Sequence, residues 1–81
     1  MTFADNTAVH LASLASYYAD KSAGEYATAT RWRVIDAFPA LVKHHAEAAA
    51  HYAESARFYR ERLVEWIEGA DERAMRWQLA A

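Results

Sequence analysis

One long amphipathic helical pattern runs from Pro39 to Ala81. Its apolar and aromatic positions, with one histidine among them, recur with a mean spacing of 3.6 residues, which is the period of a straight α-helix. They are Leu41, His45, Ala48, Tyr52, Ala56, Tyr59, Leu63, Ile67, Ala70, Ala74 and Trp77. Charged residues, mostly glutamates, lie on the opposite side. Two short helices would not cover so long a stripe, so a second copy or a partner is expected to cover the rest.

The sequence pattern before Pro39 predicts two helices, each shorter than the long helix that follows. The first begins near Asn6 or Thr7, since either side chain can cap free backbone N–H groups. The segment 21–24 is expected to break it, because Gly24 suits the left-handed conformation of a helix cap. The second helix runs from about 25 to 37 and ends before Pro39, because the residue that precedes a proline is pushed out of the α region.

Two faces of the first helix differ in side-chain size. Large side chains gather on one face, together with a histidine: His10, Leu11, Leu14, Tyr17 and Tyr18. Small side chains lie nearly opposite: Ala8, Ala12, Ala15 and Ala19. Because alanine lets another helix approach closely, this first helix is expected to pack on both sides.

Gly69 is the one glycine inside the long pattern, and the preferred prediction is a helix break there, with a continuous helix as the alternative. The predicted helices therefore span about 7–21, 25–37, 40–68 and 71–79, the last two possibly forming one helix. This pattern predicts an all-α fold, a small helical bundle of three to four helices with one long C-terminal amphipathic helix. Residues 1–81 are predicted to form a single domain.

Composition narrows the classes of protein that fit. The chain has 81 residues, of which 54% are hydrophobic, with one proline and two glycines, so helix is favoured over disorder. A monomer of this size has only a marginal core. The lack of cysteine excludes disulfides and thiolate metal sites. A formal net charge of −2 does not favour nucleic acid as a partner. The first basic residue is Lys21, so we expect no secretory signal, no membrane partner and a cytoplasmic location.

Histidines and carboxylates raise the question of a metal site. Imidazole is a common metal ligand, and Glu47 lies between His44 and His51. However, His44 and His51 are seven residues apart, about 10 Å along a helix, which is too far to share one ion directly. The preferred interpretation has no metal and no cofactor, and the alternative is a small His/Glu metal-binding helical bundle.

Catalytic and nucleic-acid motifs are not apparent. No glycine-rich phosphate loop and no nucleophile elbow occurs, so we expect no enzymatic activity. Arg57, Arg60 and Arg62 scatter around the long helix instead of forming one basic stripe. Ion pairs within the helix, such as Glu54–Arg57 and Glu72–Arg76, explain these charges more simply.

Aromatic richness favours recognition of another protein. Aromatic residues make up 14% of the chain, and Trp, Tyr and Arg are the residue types most often found at the centre of protein interfaces. The candidates for binding a partner are Trp32, Arg33, Phe58, Arg62 and Trp66. The candidates for self-association are Leu41, His45, Tyr52, Tyr59, Leu63 and Ile67.

The function that these observations favour is a non-catalytic protein–protein interaction module. It is expected to be a homodimer that binds and blocks, or scaffolds, a larger protein. An alternative is a small inhibitor of the kind that phages encode against host defence, which is also typically small, mildly acidic and free of cysteine.

Overall fold

The computed structural model describes the backbone of residues 3–80 and the side chains of residues 6–76. It contains three helices, α1 (Phe3–Ile35), α2 (Pro39–Glu68) and α3 (Ala70–Ala80). No strand occurs in this part of the chain, so the all-α prediction is confirmed. The long amphipathic helix that the sequence predicted is α2, which begins at Pro39. It is not the C-terminal helix, because α3 follows it, and it is not the longest, because α1 has 33 residues and α2 has 30.

Helix α1 is one helix of 33 residues, so the break predicted at 21–24 is wrong. Gly24 does not take the left-handed conformation that a helix cap needs. Ser22, within the segment predicted to break the helix, donates its hydroxyl proton to the carbonyl oxygen of Ala49 on α2, at 2.8 Å. An interior glycine costs a helix about 1 kcal/mol, and packing along the whole length of α2 outweighs that cost.

A tight turn of three residues joins α1 to α2. Asp36 has a φ of 56°, in the left-handed region, and its backbone N–H donates to the carbonyl oxygen of Trp32 at 3.1 Å. Helix α1 therefore ends at Ile35, two residues earlier than the sequence indicated. Pro39 occupies the first turn of α2, where its missing N–H has no helical partner to lose.

Gly69 separates α2 from α3, where the preferred prediction placed the break. Its backbone N–H donates to the carbonyl oxygen of Glu65 at 3.0 Å, and Arg73 N–H donates to the carbonyl oxygen of Gly69 at 3.0 Å. The Arg73 guanidinium lies 3.5 Å from the centre of the Trp66 ring, so a cation–π contact spans the junction.

The two long helices form an antiparallel hairpin that is a single layer thick. Ser22 meets Ala49 and Glu25 meets His45, so residue numbers rise along one helix as they fall along the other. The Cα atoms extend over 66 × 18 × 12 Å, with a radius of gyration of 18.7 Å. A compact domain of this length would have a radius of about 12 Å. The predicted bundle is therefore not closed within one chain.

Small side chains make up the buried part of this hairpin. In the part of the chain whose side chains are described, the buried hydrophobic residues are Ala29, Ala49 and Ala56. None of the larger side chains there is fully buried. The contact between α1 and α2 therefore depends on close approach of two helices, and not on an enclosed core of large residues.

We predict that Gly24→Ala raises the free energy of unfolding by about 0.5–1 kcal/mol. A Cβ atom at position 24 would meet no atom within 4 Å, so only the helix preference changes. Gly69→Ala is the matched control, because its Cβ would lie 3.0 Å from an Arg73 nitrogen and 3.3 Å from the carbonyl oxygen of Glu65. Gly69→Ala should therefore raise the free energy of unfolding less than Gly24→Ala. Urea titration at one protein concentration measures both, and a destabilising Gly24→Ala would indicate a helix break in solution.

We also predict that Asp36→Gly stabilises the hairpin by about 0.5 kcal/mol or more, because it removes left-handed strain and a negative charge at a helix C-terminus. Asp36→Asn removes only the charge, so it should stabilise the hairpin less than Asp36→Gly. Asp36→Ala removes the charge but keeps a Cβ in the strained conformation, so it should gain least. Thermal unfolding of the three variants gives the order, and equal gains would contradict the role of the backbone angle.

Candidate protein-interaction surfaces

Polar contacts fix the register of the seam, by which we mean the line of contact between α1 and α2. Ser22 donates to the Ala49 carbonyl oxygen, and Nδ1 of His45 lies 2.6 Å from a carboxylate oxygen of Glu25. The side chains of His45 and Glu25 are 23% and 31% exposed, so this pair is partly shielded from water. A one-turn slip of either helix would break both contacts, which makes the seam specific as well as close-packed.

Three tyrosine rings form a stack beside this seam. The Tyr18 ring lies between two rings of α2, with centroid distances of 6.2 Å to Tyr52 and 5.6 Å to Tyr59. The planes are nearly parallel, at 24° and 5°. Tyr17 meets the edge of Tyr18 at 5.1 Å and is 54% exposed. This cluster is the largest set of ring contacts between the two helices in the described chain.

The residues that the sequence assigned to self-association lie partly within the hairpin. His45, Tyr52 and Tyr59 contact α1 of the same chain. Leu41 and Leu63 are half-buried, and Ile67 is 58% exposed. Helix α1 therefore shields one flank of this stripe, while each member keeps some surface that a second copy can contact. The side chain of Trp77, the last position of the stripe, lies outside the described residues.

Two of the predicted partner-binding residues lie at the turn end of the hairpin. Trp32 is half-buried and meets the Phe38 ring edge-on at 5.4 Å. Its contact with Phe38 arises because the turn folds the chain back over the last turn of α1. Arg33 is exposed and points along a different face, beside an apolar groove. Trp32 is therefore partly a packing residue of the turn.

The other three predicted partner-binding residues lie on α2, about 30–40 Å from the turn at 1.5 Å per residue. Phe58 is 50% exposed, and the Arg62 guanidinium lies 5.0 Å from the centre of its ring. Arg62 also pairs with Glu65 at 3.0 Å. Trp66 is half-buried beneath Arg73. The structure therefore separates the five candidates into two groups at opposite ends of the hairpin.

The candidate metal ligands are spread along the outer side of α2. His44, Glu47 and His51 are all exposed, and Glu47 lies 4.0 Å from Lys43. Within residues 6–76, no group of three or more histidine, aspartate or glutamate side chains lies close enough to hold a metal ion.

Of the two ion pairs that the sequence predicted, Glu72–Arg76 forms. Glu54–Arg57 does not form among the described residues.

An apolar groove runs along the face of the hairpin on the other side of the seam from the tyrosines. We call it the alanine groove, because most of its lining is alanine from both helices: Ala19, Ala23, Ala29, Ala46, Ala49, Ala50, Ala53 and Ala56. It encloses about 640 Å³ and is open to solvent on its outer side. Tyr26, which is 62% exposed, stands at its edge.

Three arginines line the same groove. Arg33 lies at one end, on α1, and Arg57 and Arg60 lie at the other, on α2. None of the groove's lining residues is acidic. Among the described residues, these three guanidinium groups have no hydrogen-bond, ion-pair or ring partner. Glu61 and Glu65 border a neighbouring cleft with Arg57 and Arg60, but neither lines the groove. The groove therefore combines an apolar floor with guanidinium groups at both ends that form no ion pair among the described residues.

Sequence reasoning missed three residues of the seam: Tyr18, Ser22 and Glu25. Tyr18 was placed among the large side chains of the first helix but not against α2, and neither Ser22 nor Glu25 was assigned a contact with the long helix. A signal was present, since Leu11, Tyr18, Glu25 and Trp32 recur every seven residues and continue across Gly24. Because this seven-residue repeat continues past Gly24, it indicates a single helix that packs one face against one other helix.

Comparison with known protein families, with curated proteins and with solved structures finds no match. Within residues 3–80, no helix has an apolar stretch long enough to cross a lipid bilayer.

We predict that Tyr18→Ala lowers the free energy of unfolding by about 2 kcal/mol, because it removes both ring contacts with α2 and half-buried aromatic area. Tyr17→Ala is the matched control and should cost less than half as much, since that side chain is mostly exposed. Tyr18→Phe should be nearly neutral, because the Tyr18 hydroxyl has no hydrogen bond among the described residues. Denaturant unfolding followed by far-UV circular dichroism measures all three, and equal losses for both alanine variants would contradict the stack.

Proposed function

We propose that this chain is a non-catalytic protein–protein interaction module that forms a homodimer and binds a larger protein, which it blocks or scaffolds. The observation that carries the proposal is the single-layer hairpin. Amphipathic helices bury their apolar sides against a further layer in stable domains, and residues 3–80 of one chain supply two long helices. A second copy would supply the missing layer and complete a four-helix bundle.

Surface area supports the need for a second layer. The chain exposes 6295 Å², whereas a compact folded protein of its mass exposes about 4,900 Å². The excess, about 1,400 Å², exceeds the roughly 800 Å² that each partner buries in a standard protein–protein interface. A dimer interface therefore fits on the hairpin and leaves apolar surface for a further partner.

Exposed hydrophobic residues support the same conclusion. Ile67 is 58% exposed, Tyr26 62% and Val34 81%. Exposed hydrophobic side chains are common one at a time, but here they accompany a buried set made only of alanines in the described chain. We propose that the dimer forms along the stripe of Leu41, His45, Tyr52, Tyr59, Leu63 and Ile67.

A non-catalytic role agrees with the environment of the polar side chains. Catalytic groups work in pockets that exclude water. Within residues 6–76, no polar or charged side chain is buried, and the alanine groove is open to solvent. The partner-binding role is assigned to Phe58, Arg62 and Trp66 on α2, and to Trp32 and Arg33 near the turn. A cytoplasmic location is part of the same proposal, and fractionation of expressing cells tests it.

We predict a molar mass near twice the 9.2 kDa of one chain, by light scattering on a sizing column at several concentrations. Ile67→Glu should shift the mass toward one chain, because it places a charge on the exposed end of the stripe. Val34→Glu is the matched control, since Val34 is more exposed and lies outside the stripe. A mass of one chain at every concentration would contradict the homodimer, and circular dichroism checks that both variants stay helical.

A further inference from the structure

We infer that the alanine groove is the docking site for an acidic amphipathic helix of a partner protein. The inference rests on the proposed function as an interaction module, and it names the chemistry of the partner and the surface that receives it. Its two observations are the shape of the groove and the three arginines that line it, which have no partner among the described residues.

The shape of the groove suits a helix. Two parallel walls, formed by α1 and α2, flank a floor that includes the buried Ala29, Ala49 and Ala56. The separation between packed helices depends on the side chains at the contact, and alanine permits the closest approach among residues with a side chain. A third helix laid along the groove would therefore contact both helices and cover the apolar side of the seam.

The charge of the groove selects an acidic occupant. The chain as a whole has a net charge of −2, yet the groove is lined by three arginines and no carboxylate. Arginine forms paired hydrogen bonds with carboxylates, and complementary charge at the rim of an apolar surface sets the specificity of docking. Arg33, Arg57 and Arg60 have no such partner among the described residues.

The positions of the arginines set the length of the occupant. Trp32 contacts Phe38, so Arg33 lies level with the turn, and Arg57 lies 18 residues beyond Pro39 along α2. At 1.5 Å per residue this separation is about 27 Å. The partner helix should therefore have about five turns, small apolar residues along one side, and carboxylates near both ends.

A second copy is a poorer fit for this groove. Docking two copies groove to groove would place both sets of Arg33, Arg57 and Arg60 on one interface, while neither groove contributes a carboxylate. Like charges that face each other in an interface are strongly unfavourable. The groove therefore favours a foreign helix, and the stripe on the other side of the seam remains for self-association.

The test uses the full-length chain and a synthetic helix. The probe is a fluorescent peptide of about 20 residues, with alanine and leucine on one face and glutamate in its first and last turns. The control peptide has lysine in place of each glutamate. We expect the acidic peptide to bind, measured by fluorescence anisotropy, and its affinity to fall as salt is added. The lysine peptide should not bind measurably.

Variants of the protein locate the binding site. Arg57→Glu should weaken binding of the acidic peptide about tenfold, whereas Arg31→Glu, on the opposite face, should not. Ala50→Trp fills the groove and should abolish binding. Ala27→Trp places the same ring at another exposed position of the hairpin and should leave binding unchanged. Circular dichroism establishes that each variant is folded.

Four outcomes would overturn the inference: no binding of the acidic peptide, equal binding of the lysine peptide, tighter binding of a single-stranded DNA oligonucleotide, or dissociation of a dimer by Ala50→Trp. The last would identify a second copy as the occupant. Light scattering separates this inference from the proposed homodimer. Peptide binding by a protein with the mass of one chain would support the groove as a docking site and contradict the homodimer. A dimer that does not bind the peptide would support the homodimer and contradict the docking site.

Discussion

Close approach of two long helices through small side chains is the constraint on which the structure depends. Ala29, Ala49 and Ala56 are the buried hydrophobic residues of the described chain, so the buried part of the contact between α1 and α2 consists of small side chains, and the larger rings of Tyr18, Tyr52 and Tyr59 pack beside it. Such a seam stabilises the hairpin by many short contacts along its length. It cannot shield a large apolar area from water, and the chain therefore has two faces that remain open to other molecules.

These two faces have different chemistry. One flank of the seam carries the tyrosine stack and the Glu25–His45 pair. The stacked rings contact both helices and are half-buried. The other flank is the alanine groove, which is smooth, apolar and bordered by arginines. The first suits burial of broad aromatic surface in a symmetric pair, and the second suits a narrow, negatively charged helix. One layer of helices can thus serve two interactions at once, since each uses a separate side.

The prediction of helix breaks shows where local rules fail. Proline at 39 ended one helix and began the next as expected, because its ring acts on the backbone whatever surrounds it. Glycine at 24 was expected to act in the same way, yet α1 passes through it. Glycine only permits a break, and the long contact with α2 decides whether the break forms. Gly69 lies at the end of the hairpin opposite the turn, and α2 ends at Glu68.

The all-α class, the long helix α2, its apolar stripe and the positions of the aromatic and charged residues could all be predicted from the amino-acid sequence, because helical periodicity is a local property of the chain. The contacts among these positions depend on how the helices pack, which local periodicity does not specify. In the folded hairpin, Trp32 contacts Phe38, and Phe58 and Trp66 lie at the end away from the turn. Three arginines, Arg33, Arg57 and Arg60, line one groove. Arginines that scatter around a single helix become one charged site only when a second helix lies beside it, and that arrangement depends on the register of the seam.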